Sequence, residues 1–187
     1  MSKETKTSSK KGSTQSSPED IIQLILQDHK PLKQLIKIMK SEDADYSEKH
    51  AAFLTFAPTL LAHAKPEEQT WYMKMKSDGD MVQDGLEGDI EHGLADQLCE
   101  ELKRTSDKDM FEAKVKVLAE LVEHHIKEEE EDMLPEFKKE SSIEERVELG
   151  LAYLAFQSEF QAEGSDDSPK ENSATMKKQE QMHHGSM

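Results

Sequence analysis

Apolar residues recur at steps of three and four positions along most of the chain, which is the spacing that places side chains on one face of an α-helix. No run alternates Val, Ile or Thr with polar residues in the way that a half-buried strand requires. The pattern predicts four long helices and a shorter fifth, at about 18–40, 47–75, 79–104, 108–135 and 142–162. Because few residues separate the first four helices, we expect an all-α, up-down-up-down four-helix bundle with a short additional C-terminal helix.

One proline suits the start of a predicted helix, and three others fall inside predicted helices. Ser17 and Pro18 suit the cap and first turn of the first helix, where a missing backbone N–H costs nothing. Pro31, Pro58 and Pro66 instead fall inside predicted helices, where each removes a hydrogen bond and kinks the axis. We interpret these three as kinks that a long bundle tolerates.

The two ends of the chain differ in composition from the middle. Residues 1–17 and 164–187 are rich in Ser, Lys, Gly and Glu and almost free of apolar side chains. Such segments cannot bury enough surface to offset the entropy of ordering, so both are predicted to be disordered tails. Residues 18–163 are then long and apolar enough for a single bundle domain.

The net charge limits the kinds of partner that the protein could bind. The net charge of −16 argues against binding nucleic acid or an anionic membrane and favours the accumulation of cations. A single cysteine, Cys99, cannot form an internal disulfide and fits a reducing compartment. No signal-like segment follows the first Met and no run of 18 apolar residues occurs, so we expect a cytoplasmic protein. The oligomeric state is left open.

Histidines interrupt the apolar stripe of every predicted bundle helix. Each of the four helices places one histidine on its core-facing side, because steps of 3, 4, 7 and 11 residues return to one face. On the second and fourth helices a glutamate follows the histidine one turn later. In chain order these candidates are His29, His63, Glu67, His92, His125 and Glu129.

A metal site explains this pattern better than four unrelated core histidines. One histidine on an apolar face is most often a hydrogen-bonded core residue, but two buried carboxylates among four imidazoles cost on the order of several kcal/mol without a cation. His124, with Glu128 one turn later, competes with His125 for the same role. Helical phase puts His125 and Glu129 near the centre of the stripe and His124 at its edge, so His125 is preferred.

Four segments carry a resemblance to the hemerythrin, or HHE cation-binding, family: IIQLILQDHKPLKQLI at 21–36, LLAHAKPEEQTWY at 60–72, DIEHGLADQLCEEL at 89–102 and HHIKEEEEDMLPEF at 124–137. The chain resembles that family over about residues 18–160. The resemblance implies a bundle that holds two non-haem iron ions with a bridging oxo or hydroxo group. The ligands that it implies are His29, His63, Glu67, His92, His125 and Glu129.

The chain departs from the oxygen carriers of the family on the third helix. Those carriers have two histidines four residues apart there, whereas the positions four before and four after His92 hold Gly88 and Asp96. Asp96 is a candidate to orient a ligand or to bind metal directly. Glu91 and His124 are weaker candidates.

The resemblance implies a protein that binds O2 or a related small ligand, in oxygen binding, sensing or iron handling. An alternative with the same site is an oxidoreductase that consumes peroxide or NO, and whether the chain is an enzyme is left open. A ferritin-like carboxylate centre would need Glu-x-x-His pairs, which the predicted helices lack. A structural bundle without metal is the remaining alternative.

Overall fold

The computed structural model describes residues 17–77 and 80–164, and within them all regular structure is helical. The elements are α1 (Ile21–Lys40), α2 (Tyr46–Gln69), α3 (Trp71–Ser77), α4 (Val82–Lys103), α5 (Lys108–Glu128), a π-helical segment (Glu129–Met133), α6 (Leu134–Glu140) and α7 (Ile143–Gly164). The predicted tails lie outside the described residues except for Ser17 and Gly164, so the domain boundaries stay a prediction.

The long helices form the predicted up-down-up-down bundle, and the expected all-α fold class is confirmed. α1 packs on α2, α3 on α4 and α4 on α5, and α5 closes the bundle by packing on α1. α7 lies against α1 and α2 and, at 22 residues, is not shorter than α1. Among the described residues, no helix combines the length and apolar character that crossing a membrane requires.

Aspartates begin three of the bundle helices. Asp45 caps α2 and Asp107 caps α5 by accepting hydrogen bonds from backbone N–H groups of the first turn. Asp20 caps α1 in the same way and also accepts a hydrogen bond of 2.9 Å from buried Arg146 Nε. This ion pair joins α7 to the start of α1. Ser17, the predicted cap, lies upstream, so the first helix begins later than predicted.

The second predicted helix is broken in two, so a single helix over 47–75 is wrong. Thr70 leaves helical geometry, with φ −125° and ψ −82°, and its hydroxyl donates to the carbonyl of Pro66 at 2.7 Å. The break rotates the residues that follow it relative to those of α2, so different side chains face the core. Consequently the neighbouring side chains of Trp71 and Tyr72 are both fully buried.

The fourth predicted helix continues past Pro135 instead of ending there. Before the proline the backbone widens into the π-helical segment, in which the Leu134 N–H donates to the carbonyl of Glu129. Pro135 then stands in the first turn of α6, where its missing N–H is tolerated. The other internal prolines lie within continuous helices as predicted: Pro31 in α1, and Pro58 and Pro66 in α2.

Two apolar clusters fill the bundle, one on each side of a polar layer. One cluster includes Ile36, Phe53 and Phe111, and the other includes Trp71 and Phe137. α1 contributes to both clusters, with buried His29 between its two contributions. α2 and α5 contribute to the first cluster, and α3 and α6, which follow them along the chain, contribute to the second, with buried Glu67 and Glu129 in between. The core is therefore interrupted at one level by ionisable side chains.

A glycine permits the close approach of α7 to the start of α1. A Cβ added at Gly150 would lie 1.8 Å from the carbonyl oxygen of Glu19. We expect Gly150→Ala to lower the free energy of unfolding by about 1–3 kcal/mol, because backbone must shift. Gly93→Ala is the matched control in α4, since nothing lies within 4 Å of its added Cβ. Gly93→Ala should raise the free energy of unfolding by up to about 1 kcal/mol.

Urea unfolding followed by circular dichroism measures both variants. Equal stabilities of Gly150→Ala and Gly93→Ala would contradict the packing of α7 described above.

Candidate metal centre

All six candidate side chains lie in the polar layer, and all six are buried. Their ligand atoms form two groups, in each of which the atoms lie within 4.8 Å of one another. Group A consists of His29, His63, Glu67 and Glu129, and group B of His92, His125 and Glu129. Because Glu129 belongs to both groups, the two are adjacent.

The imidazoles form two pairs with Glu129 between them. The ring centroids of His29 and His63 are 4.9 Å apart, those of His92 and His125 are 4.7 Å apart, and the distance across from His63 to His92 is 6.4 Å. Glu129 Oε2 lies 3.1 Å from His29 Nε2, and Glu129 Oε1 lies 3.4 Å from His125 Nε2. One carboxylate therefore reaches an imidazole of each pair.

Glu67 lies near the other imidazole of each pair. Its Oε2 lies 3.3 Å from His63 Nε2 and 3.8 Å from His92 Nε2. Several inward-facing atoms are buried without a hydrogen-bond partner: His29 Nε2, His63 Nε2, both oxygens of Glu67, and Glu129 Oε2. Buried polar atoms are rarely left in this state, and a bound cation would satisfy all of them at once. The donor set therefore fits a metal.

The outward nitrogens of two histidines donate to acidic side chains. His29 Nδ1 donates to Glu130 Oε1 at 2.9 Å, and Lys33 holds the same carboxylate at 2.6 Å. His125 Nδ1 donates to Glu91 Oε2 at 2.5 Å. These contacts fix the ring orientation, direct Nε2 inward and make the imidazole a stronger donor to a cation.

The outer nitrogens of the other two histidines also lie beside polar side chains, one of them acidic and the other a tyrosine hydroxyl. His92 Nδ1 lies 3.4 Å from Glu68 Oε1. His63 Nδ1 lies 3.4 Å from the hydroxyl of Tyr153, which comes from α7 and donates to Asp28 Oδ2 at 2.7 Å. The outer nitrogen of each imidazole thus faces a polar side chain, but for His92 this neighbour lies at ion-pair distance and makes no hydrogen bond.

A comparison with protein families decides what kind of domain this is. The model of the hemerythrin HHE cation-binding domain matches residues 20–137, which is more than half of the chain. The chain belongs to the hemerythrin HHE cation-binding family. No curated protein and no solved structure gives a significant match. The hemerythrin match includes every helix that contributes to groups A and B, whereas α7 lies beyond it.

One residue of this hemerythrin domain that is not among the six candidates also contacts the cluster directly. Tyr72 is fully buried, and its hydroxyl donates to Glu129 Oε1 at 2.5 Å and lies 3.0 Å from His125 Nε2. An unbroken helix would have placed Trp71, one turn after Glu67, on the site-facing side. The irregular Thr70 junction brings Tyr72 there, and no periodic signal in the sequence announces that junction.

Asp96 and the two weaker candidates, His124 and Glu91, do not join groups A and B. Asp96 is exposed, so its predicted role as a ligand in place of a second histidine is wrong. The side chain of His124 is 64% exposed, whereas that of His125 is 4% exposed. Glu91 contacts only the outer nitrogen of His125 and acts as a hydrogen-bond acceptor.

Burial and neighbouring charges shift the protonation of the cluster in opposite directions. Burial lowers the pKa of His63 well below its usual value, and burial together with Glu129 raises the pKa of Glu67 well above its usual value. Burial opposes protonation of His125 too, but Glu129 and Glu91 outweigh it and raise the pKa of His125 to about 10. Burial likewise disfavours the charged form of Glu129, yet His125 and His29 hold its pKa well below its usual value.

His125→Ala is expected to lower both the metal content and the melting temperature, because it removes a donor from group B and leaves Glu129 without its charged neighbour. His124→Ala is the matched control, since it changes the adjacent but exposed imidazole. Metal analysis and thermal unfolding measure both variants. Wild-type metal content in His125→Ala, or a loss of metal in His124→Ala, would show that the wrong histidine was chosen.

Metal binding should release protons at neutral pH. With a pKa of about 10, His125 carries a proton at neutral pH in the metal-free protein, and a cation must displace it. The raised pKa of Glu67 acts in the same direction, because it favours the protonated carboxyl. We therefore expect metal affinity to rise with pH. Calorimetric titration in buffers of different ionisation enthalpy measures the protons released, and a heat of binding independent of the buffer would refute this account.

Proposed function

We propose that this chain is a non-haem di-iron protein that binds O2 or a related small ligand inside its helical bundle. The iron ligands in this proposal are His29, His63, Glu67, His92, His125 and Glu129. The observation that carries it is the position of Glu129, which has one oxygen beside each imidazole pair. A carboxylate so placed is suited to bridge two cations.

The geometry supports two metal positions. Group A offers two imidazoles and two carboxylates, and group B offers two imidazoles and the shared Glu129. Carboxylates that bridge two ions typically hold them about 3.5–4 Å apart. Six side chains cannot saturate two six-coordinate ions, so positions remain for an oxo or hydroxo bridge and for one external ligand.

The chemistry of the donors supports iron. Imidazole and carboxylate suit iron, manganese or zinc, and no thiolate competes, because Cys99 lies in an apolar cluster where burial raises the pKa of its thiol to about 12. Two iron ions would supply electrons and open coordination positions to a small ligand. A lone thiol also suits a reducing compartment, so we propose a cytoplasmic location.

The surroundings of the site favour a small ligand. A cavity of about 20 Å³ between α2 and α4 reaches His92. Small and apolar side chains such as Leu60, Ala64 and Cys99 line it together with the charged side chains of Lys65, Glu68 and Asp96. Such a space admits about one water-sized molecule. A wider depression of about 330 Å³ lies beside His63 and Pro58. The narrow cavity beside His92 therefore leaves room for a ligand about as small as a diatomic molecule.

Anaerobic loading with Fe²⁺, followed by exposure to O2 or NO, tests the proposal. We expect two iron ions per chain, an absorption change on admitting the gas, and an oxo-to-iron band in the near ultraviolet for the oxidised protein. His124→Ala serves as the control and should behave like the wild type.

Two results would overturn the proposal. One is fewer than two bound iron ions per chain, and the other is an unchanged spectrum with both gases. Sustained consumption of peroxide or NO would instead favour the oxidoreductase that uses the same site.

A further inference from the structure

The ring of Tyr72 occupies the space that a side chain at position 88 would fill. A Cβ added at Gly88 would lie 2.6 Å from Tyr72 Cζ, 2.7 Å from Cε2 and 2.8 Å from the hydroxyl oxygen. Real Cβ atoms essentially never come so close to another atom, so α4 has a glycine here because the phenol is already present. Gly88 precedes His92 by four residues, one helical turn from a candidate ligand.

From this space the phenol faces the inner side of group B. Its hydroxyl lies 2.5 Å from Glu129 Oε1 and 3.0 Å from His125 Nε2, and its ring stacks on His92 with centroids 5.2 Å apart. It therefore contacts the inward ligand atoms of two members of group B, Glu129 Oε1 and His125 Nε2, and packs on the ring face of the third, His92. Group B has three donors where group A has four, so the poorer group is the one beside the phenol.

We infer that Tyr72 is a further iron ligand, whose phenolate oxygen binds the ion held by group B. This inference rests on the proposed di-iron centre. On coordination an oxygen lone pair forms the bond to iron, the hydrogen bond to Glu129 breaks, and the phenol proton leaves to solvent. No electron changes hands in this step, and Glu129 is freed to bind iron through the oxygen that had accepted the hydrogen bond.

A phenolate in this position would change the redox character of the centre. It is a harder and more negative donor than the neutral imidazole of a second helical histidine, so it stabilises Fe(III) relative to Fe(II). A phenolate in place of that imidazole lowers the reduction potential of the centre and disfavours reversible oxygen binding. The inference therefore argues against reversible oxygen binding as the chemistry of this site.

Tyr153 provides an internal contrast. It is as deeply buried as Tyr72 and also lies beside a histidine of the cluster, but it approaches the outer Nδ1 of His63 and donates to Asp28. Its hydroxyl has no access to the inner side of group A. It is a positioning residue, and removing its hydroxyl should leave the iron ligands unchanged.

Visible absorption and resonance Raman spectroscopy of the iron-loaded full chain, oxidised in air, test the inference. The wild type should show a tyrosinate-to-Fe(III) charge-transfer band with enhanced phenolate ring modes. Tyr72→Phe should lose the band and keep two iron ions per chain, and Tyr153→Phe should keep the band.

A pair of glycine variants tests the same point without removing the phenol. Gly88→Ala forces the Tyr72 ring to move, so the band should weaken or shift while the ring itself is still present. Gly93→Ala adds the same methyl group to an open position of the same helix and should leave the band unchanged.

The outcomes separate this inference from the proposal on which it rests. Two bound iron ions without a tyrosinate band in the wild type would overturn the role of Tyr72 and leave the di-iron centre intact. A band that survives in Tyr72→Phe, or is lost only in Tyr153→Phe, would overturn it as well. Fewer than two iron ions in the wild type would overturn both.

Discussion

The burial of two carboxylates among four imidazoles is the constraint on which the rest of this structure depends. Glu67 and Glu129 are both 0% exposed, in a layer with apolar clusters on either side. Removing charges from water at such a place is costly unless a counter-charge is built in. Without a cation the charges in the layer are balanced unevenly: burial and Glu129 raise the pKa of Glu67 and so favour its protonated form, while His125 and Glu129 form an ion pair. A bound cation removes that imbalance.

The fold meets this constraint by placing the buried histidines and glutamates between two apolar clusters. α1 contributes to both clusters on either side of His29, whereas α2 and α5 contribute to one cluster and α3 and α6, which follow them along the chain, contribute to the other. Polar side chains lie outside Nδ1 of each imidazole, and two of them, Glu130 and Glu68, are themselves bound by Lys33 and Lys65. The polar layer is therefore ordered from both sides, which is what a preorganised cation site needs.

Helical phase alone was sufficient to predict the six residues of groups A and B, because each stands on a regular stretch of helix. The choice of His125 over His124 followed from the same phase and agrees with their burial. The side chains that were missed depend on departures from regularity or on distant packing. Tyr72 turns inward only because Thr70 breaks the helix, and Tyr153 reaches His63 only because α7 docks on the bundle. Asp96 was misjudged because its spacing from His92 was considered without its exposure.

The central claim is that a pair of cations sits between the two imidazole pairs. Anomalous X-ray diffraction at the iron absorption edge, from crystals of the iron-loaded protein, tests it most directly. The account predicts two anomalous peaks about 3.5–4 Å apart, one beside His29 and His63 and the other beside His92 and His125, with Glu129 bridging them. Iron found only on the acidic surface, or an ordered polar layer without any anomalous peak, would contradict it.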